Sequence, residues 1–509
     1  MEKVSENKDW QKYIPIPVCD DHPEYLEFYK KAWELAHDHV RCIPGMPQSP
    51  YMDEALCDTQ VWIWDSCFMA LFCKYAPEAF PGVETLENFY GVLYGGKTLP
   101  KIIPSEHEPV WTKATPGQPS DIYVHIADNP PLFAWAEYEN ALMRGDKKRI
   151  EELLYGRAVL QKHYEWIEGL REKTKLPGVF LPTCLISEKY GYKWEGGRSG
   201  MDNTPRGRTG ERSEGPRPNN PNMLWIDAIC QQAFSARLIS KLYGILGDSD
   251  GQSAWLRRFE EKRDIVNRFY WHKKDRFYYD IDNDTLGFYK VKSIASYWPL
   301  TAGIATTDRA EAMADHITDG DSFGGMVPFV SLSRSDNDYC PDGRYWRGSV
   351  WLPTAYASLK GLCEYGYYKT AHDTSHKLFR HMLATYNEYL PHSIWECYSP
   401  EEHRPACSVT ADRIVRKDFC GWSALGPISV YIEFVLGFHY VNAFEGVVEW
   451  ERPDAFKGRT GIKNLRFGSV VTDIVAEGRE CTVVSNAPYR LCVCGTEYNI
   501  LPGENRIIL

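Results

Sequence analysis

The chain has no run of eighteen consecutive apolar residues, so no transmembrane helix is expected. Its first residues, MEKVSENKDWQKYIPIPVC, contain no apolar h-region, so no secretory signal is visible, and the chain reads as starting at its own Met. Positive charge is not in excess: 58 Lys and Arg stand against 69 Asp and Glu, a formal net charge of −11. A nucleic-acid footprint needs a basic patch or stripe, so that class is disfavoured. Paired Cys or His clusters at zinc spacing are missing, and Cys492 and Cys494 stand too close together for a zinc knuckle. The fifteen Cys are odd in number and scattered. Cys67, Cys73, Cys230 and Cys363 lie in apolar runs, where a thiol acts as a small hydrophobe. This pattern predicts a reducing, cytoplasmic setting without a disulfide framework. No fixed-period repeat or low-complexity tract occurs.

What the chain does have is length and aromatic mass. Its 509 residues suffice for a large core, and 14% of them are aromatic, including 17 Trp and 32 Tyr. Trp and Tyr offer flat apolar faces with a polar handle, which suit the C–H face of a sugar ring as well as a core. Helical periodicity dominates residues 20–440. After the start signal at Asp21 and Pro23, Tyr25, Tyr29, Ala32, Trp33, Ala36 and Val40 repeat at helical spacing. Trp225, Ile229, Ala236, Ile239 and Tyr243 share a face that stops at Gly247. A partner helix follows with Leu256, Phe259, Val266 and Phe269. Further helices fit Leu352–Tyr365, Tyr368–Tyr386 and Ser423–Gly437. Helical hairpins joined by long loops predict a mainly α fold, an α/α toroid with its loops on one face. Residues 446–509 instead contain short β-rich runs between Gly, Asn and Pro, read as four to six strands. The expected organisation is an N-terminal extension over 1–20, a catalytic domain over 21–445 and a small β-rich C-terminal domain over 446–509.

One stretch breaks the helical pattern most sharply. Glu195 to Asn222 holds six Gly, four Pro and five Arg, with Met201 its one apolar residue. A loop of that length inside a compact domain is usually functional or disordered. Its centre, SGMDNTP, sets Asp202 on backbone that glycine can bend sharply. Four polar–aromatic clusters accompany it: Trp62 to Phe68 (WIWDSCF), Ala127 to Trp135 (ADNPPLFAW), Arg344 to Trp351 (RYWRGSVW) and Ser393 to Pro400 (SIWECYSP), the last followed by Gly421 and Trp422.

Taken in order, these segments resemble the signature set of the inverting (α/α)6-barrel glycosidases around glycoside hydrolase family 63. That group includes α-glucosidases and the mannosylglycerate or glucosylglycerate hydrolases; trehalases are more distant. The matching segments span residues 62–422. The resemblance implies a six-hairpin (α/α)6 toroid, general acid catalysis by Asp202 and general base catalysis by Glu396. Such an enzyme protonates the leaving oxygen with one carboxyl and activates water on the opposite face with the other. The acid must stay protonated near neutral pH, and the base must be ionised. Glu388, Glu401 and Glu402 compete with Glu396 for the base role. By the same resemblance Asp65 binds sugar hydroxyls, with a helix N-cap as the alternative. Trp64 is pocket wall or core. Asn129 stands where relatives carry Gln, with the same donors and acceptors on a shorter arm. Trp346 and Trp351 belong to the matched segment, and Trp422 closes the pocket. Arg347 either binds hydroxyls or a carboxylate through its fork, or pairs with an acid inside the barrel.

The arginine-bearing tail from Arg206 to Arg217 has no counterpart in that pattern. It is read as a lid, as a plus subsite for an anionic aglycone, or as a solvated loop. Asp280 to Gly287 resembles a calcium loop, but the glycine is displaced and position twelve lacks Glu, so a hairpin turn is preferred. Gly197 to Met201 resembles a nucleophile elbow without its final Gly or its α/β context. The expected function is an inverting α-glucosidase acting on a small soluble α-glucoside. No cofactor, metal, nucleic acid or membrane is needed. The alternatives are a sugar epimerase using His125, His392 or His403, a sugar-binding protein without turnover, and a phosphorolytic enzyme.

Overall fold

The computed structural model describes residues 2–3, 8–42, 48–55, 60–94, 102–104, 131–171 and 185–509. The helices follow from apolar spacing and from their stop signals. Helix α1 (Pro23–Asp38) starts with Pro in its first turn and buries Tyr25, Phe28, Tyr29, Ala32, Trp33 and Ala36 on one face. Helix α2 (Ile63–Cys73) is buried along its whole length, as an apolar sequence on all sides requires. Next come α3 (Gly82–Tyr94), α4 (Phe133–Arg144), α5 (Val159–Gly169) and α6 (Ile226–Leu246). Helix α6 ends where Gly247 takes φ +80°, the left-handed stop that glycine supplies without strain. Helix α7 (Ser249–Phe269) is capped by Asp248, whose side chain accepts from the Gly251 amide. Its buried face is Trp255, Phe259 and Val266, so Leu256, one position round, points to solvent at 42% exposure. The set continues with α8 (Trp298–Thr301), α9 (Thr307–Thr318), α10 (Leu352–Glu364) and α11 (Tyr368–Glu388). A final 3-10 turn, Ser423–Leu425, runs into the π-helix Gly426–Val435.

The most buried of these pack in a closed cycle. Helix α2 meets α4, α4 meets α6, α6 meets α8, and α8 meets α10; α10 then meets the π-helix, which returns to α2. The amphipathic helices lie against this cycle, with α1 and α11 on the π-helix, α3 on α2 and α7 on α6. Four buried charges tie the cycle together. Lys74 reaches Glu139 at 2.7 Å and Glu433 at 2.9 Å, and Lys360 reaches the same carboxylates at 3.1 and 3.3 Å. The Tyr75 and Tyr356 hydroxyls also donate to Glu433, each at 2.9 Å.

The C-terminal region is β-rich, with seven strands after residue 446 where four to six are expected. One five-stranded sheet runs in the order Ile16–Cys19, Thr460–Phe467, Val470–Glu477, Glu480–Ser485, Gly503–Ile508. Its first strand comes from the N-terminal extension, in register Cys19 to Thr460. A four-stranded sheet adds Tyr440–Asn442, which pairs with Val447–Trp450 across the boundary expected near 445. The Asp280 to Gly287 segment is the expected hairpin: Asp280–Asp282 pairs with Phe288–Tyr289, and Asp282 accepts from the amides of Asp284 and Thr285.

Candidate active site

Two glycines shape the loop that carries Asp202. Gly200 takes φ +87°, and a Cβ there would lie 3.3 Å from the Trp64 indole. A Cβ on Gly196 would lie 2.9 Å from the Asp202 carbonyl oxygen. The loop therefore folds back on itself against Trp64, with Asp202 half-buried at its turn. The next residue fastens it: Asn203 Nδ2 donates to the Arg344 carbonyl at 2.9 Å, and its Oδ1 accepts from the Trp346 amide at 2.8 Å. Two sequence clusters 141 positions apart are joined by this one amide side chain.

Glu396 is 3% exposed and held on every side. Its Oε1 accepts from the Tyr345 hydroxyl at 2.8 Å and its Oε2 from the Arg416 amide at 3.2 Å. Its backbone carbonyl accepts from Trp422 Nε1 at 2.7 Å and Ser423 Oγ at 3.1 Å. Burial pushes the Glu396 carboxyl above its ordinary value, while the Tyr345 hydrogen bond and the Arg416 amide and charge pull the other way. Glu388 pairs with His403 at the exposed end of α11, Glu401 is taken by Arg334 and Tyr339, and Glu402 pairs with Arg404. Glu396 is thus the buried carboxylate of the group.

Tyr345 links the two acids. Burial raises its hydroxyl well above the usual phenol range, and the negative charges of Glu396 and then Asp202 act in the same direction. Arg344 and Tyr345 adopt φ +40° and +64°, left-handed values unusual for side chains of their size. Backbone strain of this kind persists where the surroundings over-determine it. Here the Tyr345 carbonyl accepts from Trp351 Nε1 at 3.2 Å, and its ring meets the Trp351 ring edge-on. Sequence reading passed over Tyr345, although its place between Arg344 and Trp346 in the matched cluster was a signal.

The structure gathers most of the expected aromatic residues around this pair. Trp346 and Trp351 stack at 4.2 Å between centroids, and Trp422 leans on Trp351 at 5.6 Å. Trp346 and Trp351 are each 1% exposed, so they form the bed under Tyr345 rather than an open face. Trp64 lies against the Asp202 loop at Gly200. Asp65 sits in the first turn of α2, where Trp62 holds the N-cap position, so the helix-cap alternative for Asp65 does not hold. Beside it lies Glu54, fully buried, whose carboxyl is pushed well above its ordinary value by burial and by the charges of Asp53 and Asp65. Nothing in the local sequence marked Glu54. Asn129 and His125 lie outside the described residues. His392 donates to or accepts from the Tyr386 carbonyl at an exposed position, away from Glu396's partners.

The arginines act differently from the lid expected of them. Arg206 is fully buried, binding Asp227 and Asp280 through both faces of its fork at 2.6–2.8 Å, over the Trp225 ring at 4.2 Å. That buried pairing corrects the lid and plus-subsite expectations for Arg206. Arg208 pairs with Asp336 and Asp338 at 2.6 and 2.7 Å. Arg347 spends its fork on the carbonyls of Asn203 and Gly215 and on Asp338, at 3.4, 2.8 and 3.3 Å. Of its two expected uses, pairing with an acid is the one observed. Arg212 and Arg217 are exposed. Among the described residues no group of three or more His, Cys, Asp or Glu is arranged to hold a metal, and no helix is long and apolar enough to cross a membrane.

Comparison with known proteins places this geometry. A family profile described as the mannosylglycerate hydrolase MGH1-like glycoside hydrolase domain matches residues 59–410. An uncharacterised protein of Borreliella burgdorferi is 30% identical over 328 residues, 64% of this chain and 62% of that protein. The mannosyl-oligosaccharide glucosidase of Saccharomyces cerevisiae is 22% identical over 297 residues, covering 52% of this chain and 33% of its own. The chain thus spans less than two thirds of these curated relatives. The solved mannosylglycerate hydrolase of Thermus thermophilus, in complex with glucose, superposes with a TM-score of 0.57 at 18% identity, over 79% of this chain and 99% of that one.

Proposed function

The chain belongs to the MGH1-like glycoside hydrolases, and from that membership we propose an inverting enzyme that uses Asp202 as general acid and Glu396 as general base. The observation that carries this reading is Tyr345, bonded to Glu396 and within the electrostatic reach of Asp202. Two carboxyls acting on one phenol sit close enough to work on one glycosidic oxygen and one water. Glu396, with two donors on its carboxylate, keeps a defined direction for deprotonating that water. Asp202, half-buried at a loop turn, is the group with access to a leaving oxygen.

The same reading gives the closed cycle of buried helices the form of an (α/α)6 toroid, with the β-rich C-terminal region as an appendage. We take the substrate to be a small α-glucoside, supported by the glucosidase among the relatives. Asp65 and Trp64 are the proposed sugar contacts, with Trp422 closing the pocket and Trp346, Trp351 and Arg347 supporting it. The free cysteines, most of them buried, fit a cytoplasmic location. The test is release of reducing sugar from a panel of small α- and β-glycosides by wild type, Asp202→Asn and Glu396→Gln. Each variant is expected to lose about 100- to 10,000-fold in turnover while keeping its melting temperature. Near-normal turnover in either would remove that residue from the mechanism.

A further inference from the structure

Away from the paired carboxylates, a second cavity of about 480 Å³ opens where the start of α1 meets the last turns of α11. Its lining includes two cations, Lys377 and Arg380. Among the described residues neither has an ion-pair or hydrogen-bond partner. The acids that line the cavity, Glu24 and Glu388, are already engaged: His22 approaches Glu24 at 3.1 Å, and His403 approaches Glu388 at 3.2 Å. The floor is His381, only 3% exposed. Neither of its ring nitrogens has a hydrogen-bond partner; the Ser399 backbone exerts an electrostatic pull and no more. A buried polar ring left unbonded costs roughly 1–3 kcal/mol, so its persistence needs a reason. His403 stands 5.4 Å from it, ring centre to ring centre.

We propose that this cavity binds a phosphate group, held by Arg380 and Lys377 at the mouth and by His381 at the floor. The chemistry fits each element. A guanidinium and an ammonium without acidic partners can meet an oxyanion in the charge-assisted geometry that Arg forms best. Burial pushes the His381 imidazole down to about 4, so at neutral pH it is uncharged, with one N–H to give and one nitrogen to accept. Hydrogen phosphate, with acceptor oxygens and one O–H, answers both. A carboxylate would leave the accepting nitrogen unserved. None of the groups bonded to Glu396 lines the cavity, so this is not a phosphorolytic subsite. It lies at the neck of the base loop: the chain leaves α11 at Glu388, carries Glu396, and returns at His403, which closes the excursion by bonding Glu388.

The test is calorimetric titration of the full chain with inorganic phosphate, with glucose 6-phosphate and with glucose, in wild type and in Lys377→Gln/Arg380→Gln. Phosphate is expected to bind wild type with a dissociation constant in the millimolar range or below. The double variant should bind it at least tenfold more weakly and still hydrolyse neutral glycosides at the wild-type rate. Glucose 6-phosphate binding more tightly than phosphate, with the same loss in the variant, would support the site and assign it to a phosphorylated sugar. Equal affinities would support it and assign it to free phosphate. Equal phosphate binding by both proteins, or none by wild type at tenfold above the millimolar range, would overturn the proposal.

Discussion

Tyr345 carries more consequence than any other single side chain outside the two acids. Glu396 must be ionised to take a proton from water, yet burial raises its carboxyl, and the Tyr345 hydrogen bond is the largest influence opposing that rise. A base of raised pKa loses its charge as pH falls through that value, so the acidic limb of the rate profile should lie above the ordinary glutamate value of about 4.3. Removing the phenol hydroxyl in Tyr345→Phe takes away a stabiliser of the charged form. The acidic limb of kcat/KM is then expected to move to higher pH; a limb that stays or moves down contradicts the assignment. Asp202 and Glu396 were legible because each sits in a short polar–aromatic segment that interrupts helical periodicity. Tyr345 and Glu54 were not, because their importance lies in burial beside another charge. The sequence gives no sign of such proximity between residues 51 positions apart.

At the scale of elements, the long polar loop is the clearest case of composition misleading about setting. Its five arginines suggested solvent or a ligand, but Arg206 lies in the core between Asp227 and Asp280. Burial raises the Asp280 carboxyl while Arg206 pulls it back, so the pair depends on that one cation. Arg206→Met would leave two buried carboxylates without their partner and is expected to cost about 3–5 kcal/mol, measured by urea denaturation. A loss below about 1 kcal/mol would contradict a buried fork. Further along, Asp338 holds Arg208, Arg347 and the Ser213 amide and hydroxyl, strapping residues 208–215 to the segment that ends in Tyr345. Asp338→Asn should loosen that strap, lowering kcat with a smaller change in KM, since the strap positions the loop beyond Asp202 rather than the sugar. A change confined to KM would place the strap in binding instead. The helices themselves were read correctly where one face is apolar; the miss at Leu256 arose because neighbouring Trp255 takes the buried position.

For the whole molecule, the charge quartet of Lys74, Glu139, Lys360 and Glu433 joins helices far apart in sequence. Burial alone would push the Lys360 ammonium down, but Glu139 and Glu433 more than reverse it. Glu433→Ala would strand two buried lysines and is expected to lower stability by about 3–5 kcal/mol without moving the pH profile of any activity that remains. Helical composition and the β-rich ending were visible from periodicity alone. The joining of residues 16–19 to the C-terminal sheet was not, because a four-residue strand carries too little pattern to name a partner more than 400 positions away. The central claim is one of geometry: an acid and a base on opposite faces of a sugar, with a water between them. Proton NMR of the first-formed product from a cleaved glycoside tests it most directly. The account predicts that an α-glucoside releases the β-anomer first, which then mutarotates; initial release of the α-anomer would contradict it.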